Sequence, residues 1–235
     1  MTNGTANEKP PGGDASGGGP GEGAAGAGPG DPAQAAELLA LLDAERARAV
    51  RALAPDPRFI YAVWGTSWFV GFLALWLAFG DGPDLDVPIA GAAVLFGVCI
   101  AGAIAVTIVH VTRRTAGLRG ESSRVGALYG WAWFLALGTQ TVILNAAYRH
   151  GLPEELNALL WPVLSGLVVG TLYLAGGALW QDGLQYGLGV WILVASAAGS
   201  IAGYPGVYLV MCLAGGGGFL VAAAYFTVRM RRAAA

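Results

Sequence analysis

Five polar side chains fall inside long uncharged stretches of this sequence: Gln140, Asn145, Ser165, Ser196 and Ser200. Hydrogen bonding is the chemistry open to them. Lipid supplies no partner for an amide or hydroxyl, so each must find one within the protein. Glycines stand close by. Gly166 and Gly170 share one stretch, Gly199 and Gly203 the next, and Gly215, Gly216, Gly217 and Gly218 run consecutively in the last. The four-residue spacings suit close helix contact. Four glycines in a row cost a helix interior about 1 kcal/mol each relative to alanine in water. They mark either very close packing or an unwound segment lining a site.

The elements that position these residues follow from the uncharged runs. A helix rises about 1.5 Å per residue and the hydrocarbon core is about 30 Å thick, so roughly 20 apolar residues span it. Only 12% of the residues are charged and 55% are hydrophobic, against about 25% charged in soluble domains. The runs predict an all-α bundle with six transmembrane helices at about 59–80, 87–111, 125–148, 156–180, 184–203 and 206–228, within a domain of residues 55–228. Gly203-Tyr204-Pro205-Gly206 supplies the turn that divides the last long run in two. Pro153-Glu154-Glu155 opens the fourth span, and Ser122 or Ser123 can cap the third.

Residues 1–30 are rich in Gly, Ala and Pro and are expected to be a disordered tail. Residues 31–54 follow as a cytoplasmic amphipathic helix, with Asp31 as cap and Pro32 in its first turn. This helix is too polar to span. It either lies on the membrane surface or pairs with a partner helix. Pro55 and Pro57 end it. Residues 229–235 form a basic tail.

Arginines fix the expected orientation. Arg46, Arg48, Arg51, Arg58, Arg113, Arg114, Arg119, Arg124, Arg229, Arg231 and Arg232 all fall on one side of a six-span arrangement, and Arg149 alone faces them. The positive-inside rule makes that side the cytoplasm of a plasma-membrane protein and places both termini there. Asp81, Asp84, Asp86, Glu154 and Glu155 then lie outside. Tyr61, Trp64, Tyr129, Trp131, Trp180, Tyr186 and Tyr225 fall near the inner boundary. Trp76, Tyr148, Trp161, Tyr204 and Tyr208 fall near the outer one. All are expected to act as interfacial anchors.

The stretch 125–148, with Gln140 near its middle, is expected to be the central helix, the other spans forming its shell. Depth counting sets Gln140, Ser165 and Ser196 roughly 3 to 5 Å outward of the midplane, with Asn145 and Ser200 at about 9 to 12 Å. Gly215 lies at a similar level to the first three. The expectation is a shared polar pocket among spans three to six. The alternative is that Gln140 only joins two helices and each serine bonds a carbonyl of its own helix.

No catalytic set is visible. The sequence has no HExxH metal motif, no Gly-x-Ser-Gly turn, no intramembrane aspartate pair and no Walker motif. An enzyme is therefore not expected, nor a cofactor or metal, and the scattered arginines form no face for nucleic acid. Cys99 and Cys212 sit inside apolar runs and read as small hydrophobes. His110 reads as a boundary residue meeting headgroups. No Asp, Glu, Lys or Arg interrupts the spans, which argues against a proton pump.

Pro55-Asp56-Pro57-Arg58 with Trp64-Gly65 and Trp68, Tyr129-Gly130-Trp131, Gly187-Leu188-Gly189 with Trp191, and the Gly215–Gly218 run carry a resemblance. Over roughly residues 33–228 the chain resembles uncharacterised six-span integral membrane proteins of high-GC bacteria, often labelled transporters. The resemblance implies no particular binding residue. Together these features point to a transport or permease-like subunit for a small, largely neutral solute. The other reading is a sensor or accessory subunit that binds a cytoplasmic partner through the 31–54 helix. Besides the lipid bilayer, the expected partners are a separate ATPase, a cytoplasmic regulatory protein or further copies of the chain.

Overall fold

The computed structural model describes residues 32–53, 56–80, 87–115 and 121–234. The expected tail at 1–30, Asp31, Pro55, Asp81, Asp84, Asp86 and Arg119 lie outside the described residues, and so do the side chains of Arg46, Arg51, Ser122 and Ser123. Among the described residues every regular element is helical.

The chain divides into two units at Val50 and Arg51. The first contains most of α1 (Pro32–Leu53). Along α1, Leu38, Leu39, Leu41 and Leu42 are each more than half exposed, and Arg48 pairs with Glu45 one turn away.

The second unit is the bundle. Its helices are α2 (Pro57–Phe79), α3 (Ile89–Thr115), α4 (Glu121–Arg149), α5 (Glu154–Leu179), α6 (Gly183–Ala202), and a last span built of α7 (Gly206–Val210), a π-helical stretch (Met211–Gly216) and α8 (Gly217–Ala234). Among the described residues six helices are long and apolar enough to cross a membrane, matching the runs read from the sequence to within a few residues except where charged ends extend them. The chain is thus a multi-pass membrane protein. Local chemistry sets the helix ends. The Asp56 carboxylate accepts from the Arg58 N–H at 3.0 Å and Pro57 occupies the first turn of α2. Asp182 accepts from the N–H groups of Leu184 and Gln185 at the start of α6. Gly203 ends α6 with a φ of +71°, a left-handed backbone that glycine adopts without strain.

The central element is the last span, not the 125–148 helix. Half of the last span's apolar stretch is buried, against 11% for those of α3 and α4. Val207, Met211, Cys212 and Phe219 are fully enclosed, and Trp68, Phe72, Tyr61, Tyr173 and Ile192 pack around them. Phe219 touches Trp68, Tyr61 and Tyr173 with ring centroids 5.5, 6.1 and 5.5 Å away. The physical reason is size: glycines here leave room that α2 and α6 fill. A Cβ on Gly216 would come within 2.6 Å of the Phe69 backbone nitrogen. In contrast α3 packs on α2 and α4 on α5, each leaving most of its surface to lipid.

The Gly215–Gly218 run is not unwound. It is helical throughout, with π winding as far as Gly216. Buried positions recur there every four residues, at Val207, Met211, Gly215 and Phe219. In an α-helix that spacing drifts by roughly 40° per step, because a turn takes 3.6 residues. The i→i+5 bonding of a π turn winds less per residue and takes up part of the drift. Two side chains hold the stretch. Trp191 of α6 donates its indole N–H to the Ala214 carbonyl at 2.8 Å, and the Cys212 thiol meets the Phe69 carbonyl at 3.3 Å.

Two expected anchors turn out to be core. Tyr61 and Tyr208 are buried, because the boundary here is filled by neighbouring helices and not by headgroups. Trp131, Trp180, Tyr186, Tyr225 and Tyr148 are exposed, as interfacial side chains would be.

Candidate functional site

Gln140 projects from α4 toward α5 and is 7% exposed. Its Nε2 donates to Ser165 Oγ at 2.7 Å and approaches the Trp161 carbonyl at 3.5 Å. Turning the amide over would set its oxygen against that carbonyl, so this orientation is the favoured one. Gln140 Oε1 is left buried and meets no donor among the described residues. An unsatisfied buried acceptor costs about 1 to 3 kcal/mol. Beside the pair runs a groove of about 530 Å³, lined by Thr139 and Gln140 on α4 with Ala132, Ala136, Leu164 and Val168. The exposed rims, Leu135, Ile143 and Leu167, open it toward lipid.

The other expected members are elsewhere. Ser196 is buried one interface away, between α6 and α5, where its hydroxyl donates to the Ile192 carbonyl of its own helix at 2.8 Å. It sits over Gly166, whose position a Cβ would overlap. Ser165 and Gly166 are neighbours in sequence, so the two positions face about 100° apart around α5 and serve different interfaces. Asn145 is exposed and donates to the Thr141 carbonyl, one turn back on α4, at 2.8 Å. Ser200 is exposed. The structure therefore brings together Gln140 and Ser165 and leaves Asn145, Ser196 and Ser200 apart from them.

The glycines also separate by role. Gly170 meets Gly189 and Leu193 of α6, and Gly199 meets Val207. Gly215 lies under the Trp68 ring, Gly216 on the Phe69 backbone and Gly218 on the Trp191 indole. Gly203 and Gly217 have nothing within 4 Å of where a Cβ would stand, so neither is a packing glycine.

One residue was missed by the sequence reading. Asn157 on α5, two turns before Ser165, has a buried Oδ1 that also lacks a donor among the described residues. The four-residue series Asn157, Trp161, Ser165 was a signal that could have found it.

Comparison with known proteins gives no assignment. No family model, curated protein or solved structure matches the chain.

Two further features complete the electrostatics. Among the described residues no group of three His, Cys, Asp or Glu side chains is placed to hold a metal ion. At the start of α2, Arg58 binds both carboxylate oxygens of Asp56, at 3.1 and 2.8 Å. That guanidinium holds the Asp56 carboxyl below its ordinary range. The Asp56 N–H donates to His110 Nε2 at 3.2 Å, so His110 joins the end of α3 to the start of α2.

Proposed function

We propose that this protein is a transport or permease-like subunit for a small, largely neutral solute, and that Gln140, held by Ser165, makes the polar contact to it. The observation that carries the reading is Gln140, a side chain that lines an open groove and whose buried Oε1 meets no donor among the described residues. A fastening between helices needs only the Nε2–Ser165 bond. A free acceptor beside it suits a ligand that brings a hydroxyl or amide N–H, and the groove presents no charged side chain to select an ion. The resemblance to transporter-labelled six-span proteins points the same way. By the positive-inside rule the arginine-rich end is the cytoplasmic face of the plasma membrane, with both termini there.

The test uses proteoliposomes and stopped-flow light scattering, with glycerol and urea as probes. Permeability above that of empty liposomes is expected, and Gln140→Leu should remove it while the melting temperature in detergent stays near wild type. An amide that is only structural contributes about 0.6 kcal/mol in membrane double-mutant cycles. In that case Gln140→Leu shifts stability slightly and permeability not at all, and the proposal fails.

A second reading has its own observation. The exposed leucines of α1 offer an apolar strip to a cytoplasmic partner, either an ATPase or a regulatory protein. Recovery of the same partners with and without residues 31–54 would remove it.

A further inference from the structure

The arginine-rich end of α2 and α3 encloses a second groove, of about 590 Å³. Its floor is apolar, made by Phe59 of α2 and by Ala105, Val106 and Val109 of α3, and its mouth is formed by His110, Arg113 and Arg114. Phe59 and His110 rings lie 5.1 Å apart and close one wall. The groove therefore runs from hydrocarbon-like lining to paired cationic groups along a single helix.

The charges at the mouth are available. Arg113 and Arg114 are exposed, and neither forms an ion pair among the described residues. Asp56 is the acidic group whose carboxyl feels Arg114, and both its oxygens are already taken by Arg58. His110 accepts from the Asp56 N–H through Nε2, which requires the neutral ring with its proton on Nδ1. That Nδ1–H meets no acceptor among the described residues. The ends of α2 and α3 lie together, so the positive pole of one helix dipole offsets the negative pole of the other.

We infer that this groove is a binding site for one anionic phospholipid, with its phosphate between Arg113, Arg114 and the His110 Nδ1–H and an acyl chain along Val109, Val106 and Ala105. The occupant follows from the two halves of the lining. A free phosphate would leave the apolar floor uncovered, and a zwitterionic lipid would bring its own cation against two arginines. A phosphodiester with no compensating ammonium, such as that of phosphatidylglycerol, satisfies both halves. Basic pockets at this depth are a general means of headgroup recognition.

Native mass spectrometry of the full chain in neutral detergent, with equimolar dioleoylphosphatidylglycerol and dioleoylphosphatidylcholine, reads the preference as an adduct ratio. The wild type should retain phosphatidylglycerol selectively. A basic side chain near an anionic surface contributes enough that losing two reduces binding by about thirtyfold. Arg113→Gln/Arg114→Gln should therefore bring the ratio close to one. Arg231→Gln/Arg232→Gln, which removes two exposed charges from the end of α8, should leave it unchanged. Excess glycerol phosphate should not displace the lipid, since it cannot fill the floor. Equal losses in the two double variants would reduce the effect to general surface charge and overturn the site. So would a wild type without preference, or displacement by glycerol phosphate.

Discussion

Gly189 of α6 faces α5, and a Cβ there would stand 2.8 Å from the Leu174 backbone nitrogen and 2.9 Å from the Gly170 carbonyl oxygen. Both obstacles are main chain, so no rotamer change can clear them. Gly189→Ala must push the two helices apart by about 0.6 Å to reach the 3.4 Å of ordinary contact. Overpacking of this kind costs about 1 to 3 kcal/mol. Against it stands the gain in helix propensity, up to about 1 kcal/mol for glycine to alanine. Gly187, two residues earlier on the same helix, is exposed and has nothing within 4 Å of its Cβ position. Gly187→Ala keeps the gain without the cost, so the two variants should differ by about 1 to 3 kcal/mol. Unfolding in mixed dodecyl maltoside and SDS micelles, followed by tryptophan emission, measures that difference. If both variants unfold at the same SDS fraction as each other, the close α5–α6 contact is not what holds this pair.

Asp56→Asn keeps a capping side chain but removes the charge that Arg58 binds, so it isolates the ion pair. Because the folded carboxyl titrates below its ordinary value of 3.8, the pair's stabilisation is complete above that pH and is lost as pH falls through the folded value. The melting-temperature gap between wild type and Asp56→Asn should be constant from pH 7 to 5 and shrink below pH 4; a gap unchanged at pH 3 would contradict the assignment. Orientation is checked by single cysteines at positions 149 and 232 in a Cys99→Ala/Cys212→Ala background. In sealed cells an impermeant maleimide should label position 149 and spare position 232, and the reverse pattern would invert the bundle.

The spans were legible because lipid imposes length and excludes charge, and both are visible in a string of letters. The Pro153-Glu154-Glu155 start of α5 and the Gly203–Gly206 turn could be placed because helix starts and turns depend on a few adjacent residues. The order of the helices in the bundle was not legible. A face toward lipid and a face toward protein are equally apolar, so hydropathy could not tell the enclosed last span from the lipid-exposed α4. The same ambiguity turned Tyr61 and Tyr208 into expected anchors when they belong to the core. The polar layer failed in part for a geometric reason. Counting at about 1.5 Å per residue gives depth, but direction turns by about 100° per residue. Gln140 and Asn145 lie about 7.5 Å apart along α4 and point about 140° apart. Depth alone could therefore bring Gln140 to the level of Ser165, while the sharing of an interface depended on azimuth.

The π winding at Met211–Gly216 joins α7 to α8 without a break and keeps Val207 and Phe219 on one buried face. Such a joint arises when one residue is added to a continuous α-helix, and Leu213, exposed within it, occupies the position of a surplus residue. Removing Leu213 would let plain α winding run through, and the eleven steps then left between Val207 and Phe219 come to within about 20° of whole turns. Val207 and Phe219 would keep the core face that they share now. Plain α winding at the present length would instead set Val207 and Phe219 about 120° apart, on different faces. The spacing between Val207 and Phe219 is thus a property of the protein in its own right, separate from the identity of the residues that fill it.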